Sequence, residues 1–448
     1  MKPFRATVTH RAPLLATLLL APMLLTACAH GGRDAAALRN DAAGRLAVEL
    51  PADSNDRAVV QARVDELLAQ PLDREEAVIV ALLDSPALQR RYAQLEISAA
   101  ERVAASRPPN PSISLGRFKR GSETETERGI AIDLVGLLAW PFERGAAKRA
   151  YESERQAALR EALDLARDTR IAWTDAVAAD LHLAYARNML DLADTAREYA
   201  QRLAAAGNAP QLDAARAASF HAEAEGELAR AAAGATTARE KLARLLGVAD
   251  SARLQLPAQL PPLPDALPPA PSFEQEAIDR RIDVQAARRQ AEATAKALNL
   301  NRVTRFVNVL EVGYQSNTSN EAPTQTGFEV TLELPLFDFG SSSGSKARAR
   351  YEAALATVRE TAVNARSEVR TAWTAGEAAW QTAARYRDRV LPLQQQITEE
   401  VLLRFNGMLV GPFEVLEQAQ HQADAALRAQ QALRDFWIAE AELASALQ

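Results

Sequence analysis

The chain has 448 residues, of which 25% are charged and 5% aromatic, with a formal net charge of −6 and a single cysteine. This balance gives no basic field for a phosphate backbone, so nucleic acid is not an expected partner, and one cysteine permits neither an internal disulfide nor a multi-cysteine metal site. Alanine occurs 95 times, yet residues 301–350 hold only 3 of them, so a helix-former's composition is interrupted by one stretch of different character.

The N-terminus reads as a targeting segment. Lys2, Arg5 and Arg11 precede an apolar run from Ala12 to Ala27, the order of a secretory signal peptide and too short for a membrane-spanning helix. Leu25-Thr26-Ala27-Cys28 resembles the bacterial lipobox, which implies loss of residues 1–27 and acylation of Cys28, palmitate included, with Ala29 favouring the outer membrane. An ordinary signal cut near Ala27 or Ala29 is the other reading. Residues 28–72 are expected to form an extended or partly helical tether along the outside of the molecule.

The mature chain repeats itself at an offset of 200 residues. Tyr151-Glu152 answers Tyr351-Glu352, Arg170 and Ala172-Trp173-Thr174 answer Arg370 and Ala372-Trp373-Thr374, and Gly207 answers Gly407. Upstream the offset shrinks to 194, because Trp140-Pro141-Phe142 meets Leu334-Pro335-Leu336 and a Gly/Ser insertion follows. The repeats are assigned to residues 73–247 and 272–448, with 248–271 as a proline-rich, semi-rigid connector. Each is expected to hold a helix (Asp73 to Arg107, or Ser272 to Val303), two strands closing on a proline, and a very long helical hairpin. The first long helix, Phe142 to Ala206, has apolar residues three and four apart, and the second is expected to bend at Pro392.

The strands alternate. Phe328, Val330, Leu332 and Leu334 fall on one side, and Glu329, Thr331 and Glu333 on the other. Their partner is Phe306 to Ser316, with a turn from Asn317 to Thr324. The first repeat offers Ser112 to Arg120, a charged turn through Glu127, and a return strand with Ile130, Ile132 and Leu134 opposite Ala131, Asp133 and Val135. A soluble hairpin alternates in the same way, but strands of this kind behind a secretory leader suit a bilayer-spanning barrel. Four strands cannot close one, so several copies must share it: two make eight and three make twelve.

These residues resemble the TolC-like outer-membrane efflux channels over nearly all of the mature chain. The resemblance rests on Asn110-Pro111, Leu138-Ala139-Trp140-Pro141-Phe142, Leu332 to Gly340 (LELPLFDFG), Ala243 to Gly247 (ARLLG), Arg404-Phe405-Asn406-Gly407 and Phe413 to Gln420 (FEVLEQAQ). It implies a mainly α fold: a homotrimer whose duplicated helical hairpins form a tube across the periplasm, with a shared 12-stranded β-barrel in outer-membrane lipid. The tube would meet a periplasmic adaptor and an inner-membrane pump. A periplasmic coiled-coil adaptor or scaffold lipoprotein without a pore is the alternative, although adaptors usually carry one hairpin between glycine-rich β modules.

The resemblance also assigns roles. Gly207, Gly407 and Gly411 mark the hairpin tips that engage the adaptor, and Asp133, Glu329 and Glu333 are candidates for lumen-facing charge. Glu414 and Glu417, three apart on one helical face, match acidic residues lining the closed periplasmic aperture, with Asp213 as the nearest counterpart past the first tip. In three copies they would stack as anionic rings; as solvated helix N-terminal acids they would simply meet the macrodipole. The basic residue of the family's tip loop has no match in Met408-Leu409-Val410. No enzyme motif, phosphate loop or metal-ligand pattern is present, so neither catalysis nor a cofactor is expected.

Overall fold

The structure, a computed structural model, describes residues 33–51, 56–208, 210–267, 273–304, 309–333 and 341–448. Cys28, Leu334 to Gly340, Phe306 and the end of the connector therefore lie outside the described residues. The fold is mainly helical with one small sheet. In chain order α1 (Arg33–Leu46) and α2 (Arg57–Leu68) precede the first repeat, which holds α3 (Arg74–Asp84), α4 (Pro86–Ala105), β1 (Ser112–Arg120), β2 (Glu123–Asp133), α5 (Leu134–Ala205) and α6 (Gln211–Leu246). The second holds α7 (Phe273–Arg280), α8 (Ile282–Thr304), β3 (Val309–Ser319), β4 (Gln325–Glu333), α9 (Ser341–Arg385), a π turn (Tyr386–Val390), α10 (Leu391–Asn406) and α11 (Pro412–Ala446).

Helix α5 has 72 residues. At 1.5 Å per residue it runs about 108 Å from the sheet to the far tip. It starts eight residues earlier than Phe142, the position the proline suggested, and so passes through Pro141. The backbone turns at Asp133, whose Oδ1 accepts from the Gly136 amide at 2.8 Å as an N-cap, and the helix-favouring Leu134 to Trp140 follow. The Trp140 indole donates to the Ala105 carbonyl at 3.1 Å and holds this turn against the end of α4. Leu134 and Val135 are consequently helical, not strand residues.

The expected single helix Asp73 to Arg107 is two. Asp73 and Glu76 form a reciprocal capping box for α3, and Pro86 opens α4. Gly247 ends α6 at φ +79°, with the Asp84 carbonyl only 2.5 Å from where a Cβ would sit, so the α3–α4 corner needs glycine there. In the second repeat Arg281 separates α7 from α8 and binds Asp283, Glu368 (2.6 Å) and the Ala446 carbonyl (3.3 Å). Just before Pro392, where a bend is expected, the helix takes a π turn. The Leu391 amide bonds back five residues to Tyr386, a register that absorbs the donor proline lacks.

The core sits midway along the long helices. Leu67, Leu68, Leu72 and Val80 pack round Trp173, whose indole donates to the Leu72 carbonyl at 2.9 Å. Leu38, Ala42 and Leu46 of α1 join Tyr92, Leu159 and Leu163. The segment expected as a tether thus supplies core residues of the first repeat. Among the described residues no α-helix between α6 and α7 answers α2, and Trp373, the equivalent of Trp173, lines an open groove of about 480 Å³ with Leu267 and Trp437. The connector lies along α9 and α11, its Pro261 and Pro264 carbonyls accepting from the Trp437 and Trp380 indoles at 2.9 Å each.

Candidate functional site

The sheet stands at one end of the long helices. Its order is β1-β2-β3-β4, antiparallel throughout, so the two repeats join through β2 and β3. Its outer edges, on β1 and β4, have no partner strand within the described chain. The first hairpin turns on Gly121 and Ser122, with Gly121 at φ +62°, and Arg120 already pairs with Glu123. The Glu/Thr run expected as a turn through Glu127 is therefore strand, and β3 likewise continues to Ser319, past the expected turn start at Asn317. Alternating Glu and Thr give that run two distinct faces, which a turn would not use.

Directly opposed residues share a face. Ile113, Ile130, Tyr314 and Phe328 oppose one another in one row across all four strands, followed by Ile132, Val312 and Val330 in the next. Phe328 is 83% exposed and Ile113 and Leu115 are each 77% exposed, and the Tyr314 and Phe328 rings meet edge to face at 5.5 Å. The opposite face carries Glu123, Glu125, Glu127, Asp133 and Glu329 beside Gln315 and Asn317. Glu329 bonds to Gln315 across the strands, while the Asp133 carboxylate is engaged as the α5 cap. Glu333 closes β4, its backbone paired with Val309.

The far end holds two helix-hairpin tips. At the first, Gly207 takes φ +73° after the Ala206 C-cap, and the Asn208 amide reaches the Leu203 carbonyl at 2.9 Å. At the second, Gly407 is itself the C-cap with φ −80°, and the left-handed residue is Met408 at φ +59°. The tips are therefore one residue out of register, and Gly407 does not use glycine's access to positive φ. Met408 and Leu409 are 93% and 77% exposed, and Leu212 and Leu403, beside the two tips, are exposed as well. Glycines alone do not mark these residues; their signal in the sequence is an apolar run inside a turn.

Gly411 is the N-cap of α11, and Glu414 and Glu417 are exposed in its first turns, with His421 Nε2 3.9 Å from Glu417. Asp213 occupies the first turn of α6, 3.7 Å from Arg216. No protein group among the described residues pairs with Glu414. Above them α11 is tied to α5 by Tyr185 to Asp424, by the Tyr199 and Phe413 rings at 5.6 Å, and by Arg434 to Asp175 at 2.8 Å. Burial and the bond to Asp424 both push the Tyr185 hydroxyl above its ordinary range. To α10 it is tied by Gln418 to Gln394 and Thr398 to Gln422 at 3.1 and 3.0 Å.

No family model and no curated protein matches the chain. Solved structures do. A membrane protein from Pseudomonas aeruginosa superimposes with a TM-score of 0.71 at 21% identity, over 84% of this chain and 93% of that one. The outer membrane protein VceC of Vibrio cholerae gives 0.64 at 18%, over 84% and 95%. The outer membrane channel MtrE of Neisseria gonorrhoeae, in its open state, gives 0.66 at 18%, over 86% and 88%. The chain has the fold of these membrane proteins, that of the TolC-like channels it resembles.

Proposed function

We propose that this chain is the outer-membrane channel of a tripartite efflux system, a homotrimer passing cargo from a periplasmic adaptor and an inner-membrane pump to the exterior. The observation that carries the proposal is the four-stranded sheet with both edges open and one face of exposed aliphatic and aromatic residues, mounted on a helix about 108 Å long. In hydrocarbon an unpaired strand edge costs several kcal/mol per backbone group, so β1 of one copy must meet β4 of the next until the wall closes. Three copies of four strands close it at twelve. The apolar face then meets lipid and the carboxylate face lines an acidic, water-filled lumen.

The long hairpins carry the same lumen across the periplasm, and Cys28, if acylated, adds an anchor without spanning anything. The tips marked by Gly207, Gly407 and Gly411, with the exposed apolar residues Leu212, Leu403, Met408 and Leu409, are what an adaptor would cover. Glu414 and Glu417 of three copies form the ring at the mouth, drawing cations to the narrowest point. Transport requires no chemistry from the chain. The test is conductance in planar bilayers: Glu414→Gln with Glu417→Gln should reduce cation over anion selectivity, and a channel of unchanged selectivity overturns the ring. A purified chain that forms no conducting species overturns the channel itself.

A further inference from the structure

The sheet sorts its charges by face as well as by height. Glu123, Glu125, Glu127, Asp133 and Glu329 all lie on the polar face, whereas Arg117, Lys119 and Arg128 lie on the apolar one; Arg120, at the turn, is the one strand cation on the acid side. The boundary on the apolar face runs straight across the strands. The row Ile113–Ile130–Tyr314–Phe328 is followed, one step nearer the hairpin turns, by Leu115–Arg128–Ser316–Thr326, then by Arg117–Thr126–Thr318 and by Lys119–Thr124. Arg117 and Arg128 are diagonal neighbours, about 7–8 Å apart at Cα. All three cations are exposed and make no ion pair with any described residue.

A row carrying Tyr314 and Phe328, followed at once by rows carrying unpaired cations on a lipid-facing surface, is what an interface with anionic headgroups requires. The turns point away from the helices, so on the channel reading, on which this inference rests, the cations stand at the outer leaflet. We propose that Arg117, Lys119 and Arg128 form a binding surface for the phosphate groups of a phosphorylated glycolipid of the outer leaflet. Charge complementarity carries the assignment: arginine grips phosphate bidentately, and the sheet's own carboxylates are held on the far side of the wall, where they cannot neutralise it. Because β1 is an edge strand, each patch would sit beside β4 of the neighbouring copy.

The test uses the full chain in nanodiscs of phosphatidylcholine doped with bisphosphorylated lipid A or with its dephosphorylated form. Retained glycolipid is counted by native mass spectrometry, and insertion is read separately by flotation and conductance. The wild type should retain the phosphorylated form preferentially. Arg117→Gln with Lys119→Gln and Arg128→Gln should weaken retention roughly a hundredfold, about fivefold per charge, while Glu123→Gln with Glu125→Gln and Glu127→Gln leaves it unchanged. If the triple cation variant inserts and conducts yet retains as much phosphorylated glycolipid as the wild type, the binding surface is refuted and the channel stands. Equal retention of the dephosphorylated form refutes phosphate recognition. A wild type that fails to insert refutes both.

Discussion

Val330 offers a direct reading of what the apolar face touches. It is 63% exposed and paired with Val312, and its neighbour Glu329 faces the other way. If the face met water, Val330→Arg would be an ordinary surface change, worth within about 0.5 kcal/mol. Against hydrocarbon, an arginine near the bilayer midplane costs about 2–4 kcal/mol per chain, hence about 6–12 kcal/mol for three copies sharing one wall. Glu329→Gln, one residue along the strand, removes charge from the lumen face and should cost far less. Urea titration of the vesicle-inserted protein, read by loss of the oligomeric band, compares the two at equal lipid. A large drop in midpoint for Val330→Arg alone is expected. Equal, small shifts for both variants would refute the lipid-facing assignment.

Other outcomes follow from local geometry. Met408→Gly removes a left-handed side chain and should stabilise the second tip by about 1 kcal/mol, whereas Gly207→Ala should destabilise the first by about 1–2 kcal/mol; hydrogen exchange at the two tips distinguishes them. Arg281→Met leaves Asp283 and Glu368 without their shared cation. The cost should be about 2 kcal/mol in chemical denaturation, below the ~3–5 kcal/mol of a fully buried pair because Glu368 is half exposed. Burial alone would raise the Asp283 carboxyl, but the hydrogen bonds and charge of Arg281, with Arg160, hold it below its usual 3.8. Its contribution is therefore present above about pH 4 and lost as pH falls through the depressed folded value, so acid denaturation should show a smaller pH slope in Arg281→Met than in the wild type.

Much of this architecture was legible because it is periodic. Trp173 and Trp373 at a fixed offset exposed the duplication, and the alternation about Val330 and Ile130 exposed the faces before any register was known. What was not legible depended on contacts distant in sequence. Pro141 signalled a helix start, but the Asp133 cap and the Trp140 bond to Ala105 carry helix through it. Leu38, Ala42 and Leu46, and Val60, Val64 and Leu67, recur every three or four residues as an amphipathic helix does, but that spacing does not say what they pack on, and contact with α3, α4 and α5 is what makes them core. The Glu/Thr run read as a turn because charge is common in loops, although its strict alternation already favoured strand. At the second tip the position of the left-handed residue is set by how α10 ends, which no glycine count reveals. Glu414 and Glu417 were legible as a shared face, and the fold leaves both exposed in the first turns of α11.

The account stands on one point, that β1 and β4 find partners in other copies of the same chain. Single-particle imaging of the full-length protein extracted from outer membranes measures this directly. Three copies about one axis are expected, each β1 hydrogen-bonded to a neighbour's β4 in a closed wall of twelve strands, above a continuous helical tube. A single copy in water with β1 and β4 both unpaired, or a pairing of those edges with any other chain, would contradict it.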